Sequence, residues 1–325
     1  MQSKFYGLIL ATFLGSAMVW NAGAGELRAG ASRVSITPSS EVFPFTAPHE
    51  KPFVGIHDDV YVRSLVIEDG DHHRVAIAVI EATTVPNPQQ SVAAVAKEAG
   101  VPESNVIVSA SHSHNTLMVS YHGGEPGPVH AREFARIQQA LVQATREAVA
   151  NLQPARVAFG RGEAFVNINN GEEAGLPAWN DSKGPSDKTL DVIRVTSIKN
   201  EPIAALVNYS THGEVLFRSA TKDGGYEISG DMPGAVSHLL EGDKGLAPVV
   251  LFTSAAEGDQ VPLFKSLQPA GNLPGTDAGA GAWALLDVQA RRLANSVLDV
   301  TKNIKAGSAT GTIAAAASFI SGEER

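Results

Sequence analysis

The chain contains no cysteine. This absence excludes disulfide bonds and thiolate metal ligands. Any metal site in this protein must therefore be built from histidine, carboxylate or tyrosine side chains.

The sequence also lacks an excess of positive charge. It has 25 Lys and Arg residues against 34 Asp and Glu residues, and its formal net charge is −9 at pH 7. A protein with this balance has no basic patch to neutralise phosphates, so no nucleic-acid partner is expected. Beyond residue 24 no segment approaches the length of a bilayer span, which predicts no integral membrane segment in the mature chain.

The first 24 residues are typical of a secretory signal peptide. Lys4 provides a short positive region, residues 5–20 are largely apolar, and residues 22–24 (Ala-Gly-Ala) resemble a cleavage site. The apolar run is short for an uncleaved membrane anchor. We expect cleavage after Ala24 and a secreted or periplasmic mature protein.

Strand and helix patterns alternate along the mature chain, which predicts an α/β fold with a mixed β-sheet core flanked by helices. The sheet is expected to be mixed because an Asp-Gly turn within residues 68–73 joins two strand patterns, residues 60–67 and 75–80, as a hairpin. We assign residues 25–304 to one catalytic domain. Residues 305–325 are predicted to be a low-complexity tail or the start of a truncated remainder.

Residues 106–108 form a short apolar run that predicts a buried strand, and it leads into His112-Ser113-His114. Two imidazoles spaced i, i+2 point to the same side if the extended backbone continues. This arrangement makes the segment a candidate metal site, although satisfied or surface histidines are the common alternative.

Two further predicted strand ends carry similar side chains: His212 with Glu214, and Glu257 with Asp259. In open α/β sheets, ligands bind at the carboxyl ends of strands. Neutral imidazole and carboxylate groups suit Zn²⁺. The sequence therefore predicts a zinc site that draws on more than one strand end. His72 and His73 lie in a polar turn and are expected to be solvated.

Asp231 lies at the start of a predicted helix at residues 231–241 and is explained equally well as its N-cap or as a residue that orients a ligand. A nucleophilic serine is not indicated, because the sequence has no Gly-x-Ser-x-Gly elbow.

At these motifs the sequence resembles the catalytic domain of the neutral/alkaline (non-lysosomal) ceramidases. The similarity extends over about residues 29–300. Five segments carry the resemblance in the family's order. Residues 55–57 with Arg63 are similar to its Gly-(Val/Ile)-His segment, residues 106–116 to the strand that leads into its Thr-His-Thr-His-Ser motif, and residues 190–212 to the hairpin that ends in its next motif histidine. Residues 228–231 (Ile-Ser-Gly-Asp) are similar to its Ile-Ser-(Gly/Ser)-Asp segment, and residues 255–262, which include Gly-Asp-Gln-Val-Pro, to its Gly-Asp-Val-Ser-Pro segment.

The resemblance implies a secreted, zinc-dependent amidohydrolase that cleaves the N-acyl amide of a ceramide-like sphingolipid. It implies His112 and His212 as zinc ligands. His114 is implied as a catalytic residue that assists proton transfer or holds the oxyanion. Asp259, at the third predicted strand end, is the second candidate catalytic residue. Zinc would polarise the amide carbonyl or lower the pKa of a bound water. Membrane contact is then expected only as peripheral access to the lipid substrate.

Three departures from the family pattern bear on this expectation. Val261 stands where the family has its serine, which favours attack by metal-activated water, and Asn170 stands where it has an arginine. The family's remaining ligands, a Glu and a Tyr, would lie beyond Arg325. Either the chain is a fragment, or the metal is completed differently. Glu214 is the candidate for that completion, as third ligand or as general base. A solvated or salt-bridged carboxylate is the alternative.

The departures also define a competing class of function. On this view the chain is a catalytically degenerate ceramidase-like protein that binds a lipid, a glycan or a protein partner.

Overall fold

The computed structural model describes residues 25–45, 51–116, 128–169, 185–242, 245–270 and 273–317. The predicted signal peptide and Asn170 lie outside these residues, so both assignments stay predictions. Within the described residues, no helix is long and apolar enough to cross a membrane.

The helices of the described chain are α1 (Pro88–Ala99), α2 (Pro128–Ala150), α3 (Asp231–Glu241) and α4 (Ala282–Lys302). The strands are β1 (Gly25–Glu26), β2 (Arg28–Ser35), β3 (Phe53–Ile56), β4 (Tyr61–Glu68), β5 (Arg74–Ile80), β6 (Val106–Ala110), β7 (Gln153–Glu163), β8 (Asn167–Asn169), β9 (Thr189–Ser197), β10 (Pro202–Tyr209), β11 (Tyr226–Ile228), β12 (Val250–Ser254), β13 (Gln260–Pro262), β14 (Leu267–Ala270), β15 (Leu273–Asp277) and β16 (Thr310–Gly311).

Eight of these strands form the central sheet, in the order β12-β10-β9-β7-β2-β4-β5-β6. The pairs β5/β6 and β10/β12 are parallel, and the other pairs are antiparallel. The predicted α/β class with a mixed sheet is therefore confirmed. Because β5/β6 and β10/β12 are parallel pairs, the carboxyl ends of the two strands lie side by side within each pair.

The sheet folds over so that its two halves face each other. Helices α1 and α2 cover the outer face of one half and α3 and α4 the outer face of the other. Between the halves lies a cluster of buried strand residues that includes Ala29, Leu65, Ile77, Val195, Ala204 and Leu251. At one end of this layer Ser254 Oγ donates to the carbonyl of Ser111, 3.3 Å away, so the carboxyl ends of β12 and β6 lie side by side.

Strand β5 is apolar from Val75 to Ile80 because it packs against apolar layers on both of its faces. Ala76, Ala78 and Ile80 pack toward α1 and α2, whereas Ile77 and Val79 pack into the layer between the two halves. A strand that is buried on both faces has no polar position.

A buried charge network joins the two halves. Arg63 on β4 is only 2% exposed, and its guanidinium donates to Glu81 at 2.5 Å and to Glu241 at the end of α3 at 2.7 Å. Carboxylates on both sides satisfy the buried cation, which is the condition for keeping a charge in a core.

The described part of the predicted tail is ordered against the sheet. Strands β2 and β7 pair directly only near Arg28, and beyond that point Ser308 exchanges backbone hydrogen bonds with Val157. Strand β16 then pairs with β1. Residues 308–311 thus lie between β1 and β7. The domain boundary at residue 304 stays a prediction.

Candidate metal centre

Three histidines converge at the carboxyl ends of β6 and β10. His112 and His114 follow β6, and His212 follows β10. Each offers a ring nitrogen, and these three atoms lie within 4.8 Å of one another. All three side chains are partly buried. We call these three residues the histidine triad.

A glycine contact brings the two loops of the triad together. Ser113 and Gly213 form a parallel bridge, and the His114 N–H donates to the Gly213 carbonyl at 2.8 Å. A Cβ on residue 213 would lie 2.9 Å from Ser113 Cα and 3.0 Å from the His112 carbonyl oxygen. Only glycine allows the loops to approach this closely.

The backbone between the two β6 histidines does not stay extended. Strand β6 ends at Ala110, and His112 has a φ of 58°, in the left-handed region. The prediction that both rings point to the same side required an extended backbone, and the backbone is not extended at His112. The rings of His112 and His114 are instead nearly perpendicular, with centroids 4.7 Å apart.

Backbone carbonyls fix the orientation of two of the rings. His112 Nδ1 lies 2.8 Å from the Thr83 carbonyl, and His212 Nδ1 lies 2.8 Å from the Glu257 carbonyl. A carbonyl accepts only, so each Nδ1 carries the hydrogen and each neutral ring presents Nε2 as its lone-pair nitrogen. Metal-binding histidines are commonly oriented in this way.

Burial favours the neutral form of the two histidines that follow β6. It lowers the pKa of His112, an effect opposed by the hydrogen bond to Thr83 and by the charge of Glu214. Burial also lowers the pKa of His114 to about 3, and the His112 and His212 rings and the Lys265 cation add to the effect. The neutral ring is the form that binds a metal.

The donor set fits a zinc ion. Zinc is held by imidazole nitrogens, and its catalytic sites use three protein ligands. His114 Nε2 is buried and has no hydrogen-bond partner among the described residues, which leaves an unsatisfied acceptor or donor in the site. Two carbonyl-oriented rings and this unpartnered nitrogen form a set that a metal would satisfy.

Asp231 holds the loop that follows His212. Its carboxylate accepts hydrogen bonds at 3.0 Å from the N–H groups of both Val215 and Leu216, and also one from Met232 in the first turn of α3. Burial raises the pKa of Asp231 to about 7, although these donors oppose the shift. The Asp231 carboxylate therefore ties the loop that follows His212 to the first turn of α3.

Glu214 lies outside the triad. Its buried carboxylate Oε1 is 2.5 Å from Lys265 Nζ, so the structure has the salt-bridged alternative that the sequence left open. The third member of the cluster is His114 rather than Glu214, which was the candidate to complete a ligand set with His112 and His212. Ligation of a metal by Glu214 stays a prediction.

Asp259 is exposed, and its carboxylate accepts hydrogen bonds from Asn169 Nδ2 at 2.9 Å and from Gln260 Nε2 at 2.8 Å. It is not part of the triad, and its catalytic role stays a prediction. Val261, at the position of the family's serine, is 1% exposed and pairs with Ile168.

Three contributors to the site were not assigned from the sequence: the Thr83 and Glu257 carbonyls, and the Lys265 ammonium. The carbonyls carry no signal, because every residue has one. Glu257 was noted for its carboxylate, yet it is its backbone that holds His212. The carboxylate itself is buried, with Oε2 unpartnered among the described residues.

A second group of potential ligand atoms lies in the β4–β5 turn, formed by Asp69, Asp71 and His73. The Asp69 carboxylate already accepts hydrogen bonds from the N–H groups of Asp71, His73 and Ile313. These bonds explain the turn without a metal.

The protein thus has an α/β fold, with a folded-over mixed sheet between helical layers. The histidines at neighbouring strand ends give it a candidate metal centre. No protein-family model and no curated protein matches the chain. Solved structures of ceramidases share its fold. One is the neutral ceramidase from Pseudomonas aeruginosa, with a TM-score of 0.64, 19% identity, and coverage of 86% of this chain and 45% of that one.

The second is a ceramidase complexed with C2, with a TM-score of 0.62 and 19% identity, covering 86% of this chain and 44% of that one. The chain therefore has a ceramidase-like fold. It spans less than half the length of the solved structures that it resembles.

Proposed function

We propose that the protein is a zinc-dependent amidohydrolase that cleaves the N-acyl amide of a ceramide-like lipid. The observation that carries the proposal is the convergence of His112, His114 and His212, with donor atoms within 4.8 Å of one another. The ceramidase-like fold supports the reaction class. In this proposal all three histidines hold the metal.

When bound, zinc would supply Lewis acidity that polarises an amide carbonyl and makes water more acidic. The chain's own residues would do the rest. The Thr83 and Glu257 carbonyls hold the His112 and His212 rings in the tautomer that presents Nε2. Phe217, whose ring packs on His114 with centroids 4.9 Å apart, provides an apolar wall.

Glu214 is the proposed proton acceptor of the site. It follows His212 by two residues, is buried, and its charge reaches the His112 ring. A carboxylate of this kind accepts the proton that the attacking water loses and returns it to the leaving nitrogen. Asp259 is exposed and bound to two amide side chains, so we assign it no proton transfer.

The proposal includes secretion, to the periplasm or the exterior, after removal of the predicted signal peptide. The substrate would be reached by peripheral contact with a lipid surface. The apolar segment at residues 5–20 supports secretion. The similarity to solved ceramidases supports a sphingolipid substrate.

Metal analysis of the purified mature protein tests the proposal. We expect about one zinc per chain, and loss of it in His112→Ala, His114→Ala and His212→Ala. His72→Ala, whose side chain is 79% exposed, is the matched control and should keep its zinc. Turnover of a short-chain fluorogenic ceramide should stop on chelation and return with zinc. Wild type without bound metal, or turnover that survives chelation, would overturn the proposal.

A catalytically degenerate binding protein is the second candidate, and one observation favours it. The buried Val261 side chain stands where the family that the sequence resembles has a serine, so no hydroxyl is available at that position. Stoichiometric zinc with lipid, glycan or protein binding but no turnover would support this candidate over the hydrolase.

A further inference from the structure

Lys265 and Glu214 form a buried ion pair next to the histidine triad. Their side chains are 15% and 8% exposed, and Nζ lies 2.5 Å from Oε1. Both charges reach the triad, because Glu214 acts on the pKa of His112 and Lys265 on that of His114, in each case after the larger effect of burial.

The backbone fixes this pair in place. The N–H of Ser266 donates to the carbonyl of Val215 at 2.8 Å, so the residue after Lys265 is tied to the residue after Glu214. On the other side, the Phe264 N–H donates to Gln289 Oε1 at 3.0 Å. The backbone on both sides of Lys265 is therefore held by hydrogen bonds, and its ammonium contacts the Glu214 carboxylate.

Stability alone does not account for the pair. A buried ion pair recovers little more than its own desolvation cost, and an apolar pair of similar volume is often as stable. A buried carboxylate beside three imidazoles, in contrast, is a natural zinc ligand. Three histidines and a carboxylate would give zinc a closed tetrahedral set, whereas catalytic zinc sites keep one position open.

We propose that Lys265 is a positioning residue that holds the Glu214 carboxylate out of the metal's coordination sphere and so keeps the fourth position open for substrate. The inference rests on the proposed function, because it requires a metal on the triad. It deepens that function by giving a role to a residue that belongs to none of the sequence motifs.

Lys265→Met tests the inference through metal binding. With its cation gone, Glu214 becomes free to ligate, and we expect zinc affinity to rise by about 10- to 100-fold, the range in which residues around a metal site act. In the Co²⁺-substituted protein the visible absorption bands should change, because the ligand set changes. Turnover should fall. Lys265→Arg, which keeps a cation for the carboxylate, is the matched control and should retain both the wild-type affinity and the wild-type spectrum.

A double variant separates ligation from simple charge removal. In Glu214→Gln/Lys265→Met no carboxylate is available, so the gain in affinity and the new Co²⁺ spectrum should both be absent. A gain that persists in the double variant would show that removing a positive charge is sufficient, and it would overturn the inference. So would a Lys265→Met protein with the wild-type affinity and spectrum.

Folding is a separate concern, because Lys265→Met leaves a buried carboxylate unpaired in the metal-free protein. If that variant does not fold, Lys265→Gln replaces it, since the amide still donates to Glu214 but holds it less strongly. Its affinity should then lie above that of wild type, and an unchanged value would contradict the inference. Absence of metal from wild type would be a different result, because it removes the proposed function itself.

Discussion

Gly213 lies against Ser113 so closely that a methyl group added to it would stand only 2.9 Å from the Ser113 Cα, closer than two such carbons can approach. The contact joins the loop that carries His112 and His114 to the loop that carries His212. We expect Gly213→Ala to push the loops apart, to lower the free energy of unfolding by about 1–3 kcal/mol, and to weaken zinc binding.

Gly258→Ala is the matched control for that change. A Cβ on residue 258 would meet nothing within 4 Å, although the residue lies next to Glu257, whose carbonyl holds His212. Denaturant unfolding and zinc titration of both variants check the prediction. Equal stability and equal zinc affinity of the two variants would show that the close approach of the loops is not needed for either property.

The second prediction concerns which residue joins His112 and His212 as a metal ligand. If the triad holds the metal, His114→Ala should lower zinc affinity by at least about 100-fold, beyond the usual effect of residues that only orient ligands. Glu214→Gln should leave affinity close to that of wild type, because its carboxylate is bound to Lys265. Zinc titration against a competing chelator measures both. The reverse order would favour the set of His112, His212 and Glu214.

The buried Arg63 network gives a third prediction. Arg63→Met would remove the cation that pairs with buried Glu81 and would leave Glu241 with its second partner, the partly exposed Arg33. We expect a loss of about 3–5 kcal/mol in the free energy of unfolding. Arg161→Met is the control: its pair with Asp191 is largely exposed on the arginine side, so the loss should be about 0–1 kcal/mol. Urea unfolding of the two variants compares them directly. Similar losses would rule out a special role for the buried pair.

The fourth prediction concerns pH. Burial raises the pKa of Asp231 from its ordinary 3.8 to about 7 in the folded state. A group whose folded pKa is raised stabilises the protein fully below its unfolded pKa and loses that contribution as the pH rises through the folded pKa. Between about pH 4 and pH 7, wild type should therefore lose stability relative to Asp231→Asn, by up to about 1.4 kcal/mol per pH unit.

Denaturant unfolding of both proteins across this window isolates the effect, since the other titrating groups are shared and cancel in the difference. A difference that stays constant with pH would show that the carboxylate ionises equally easily in both states. A difference that grows in favour of wild type would show that its three N–H donors outweigh burial.

The larger elements of the fold could be predicted because their signals are local. Helix α3 begins at Asp231 and ends at Glu241, as predicted, and the hairpin of β4 and β5 follows from its Asp-Gly turn. Short strands such as β3 and β8 were missed. Three or four residues carry too little periodicity, and their pairing partners, β11 and β13, are distant in the sequence.

The candidate site was predictable only in part. That His112 and His212 would meet followed from strand ends that carry histidines. The contact of Gly213 with Ser113 and the pairing of Lys265 with Glu214 did not, because each depends on two loops meeting across a folded sheet. Sequence spacing describes neighbours along one strand, and it gives no information about contacts between loops.

The pairing of β16 with β1 has a consequence for the engineering of this protein. Gly25 and Gly311 are register partners, and Gly25 packs on Gly70 in the turn that precedes β5. Strand β5 runs parallel to β6, so this edge lies at the opposite end of the sheet from the histidines. A short peptide joining residues 25 and 311 would make a circular permutant whose new ends could be opened in an exposed turn. A tag attached at residue 25 or at residue 311 would lie at the end of the sheet opposite the histidine triad.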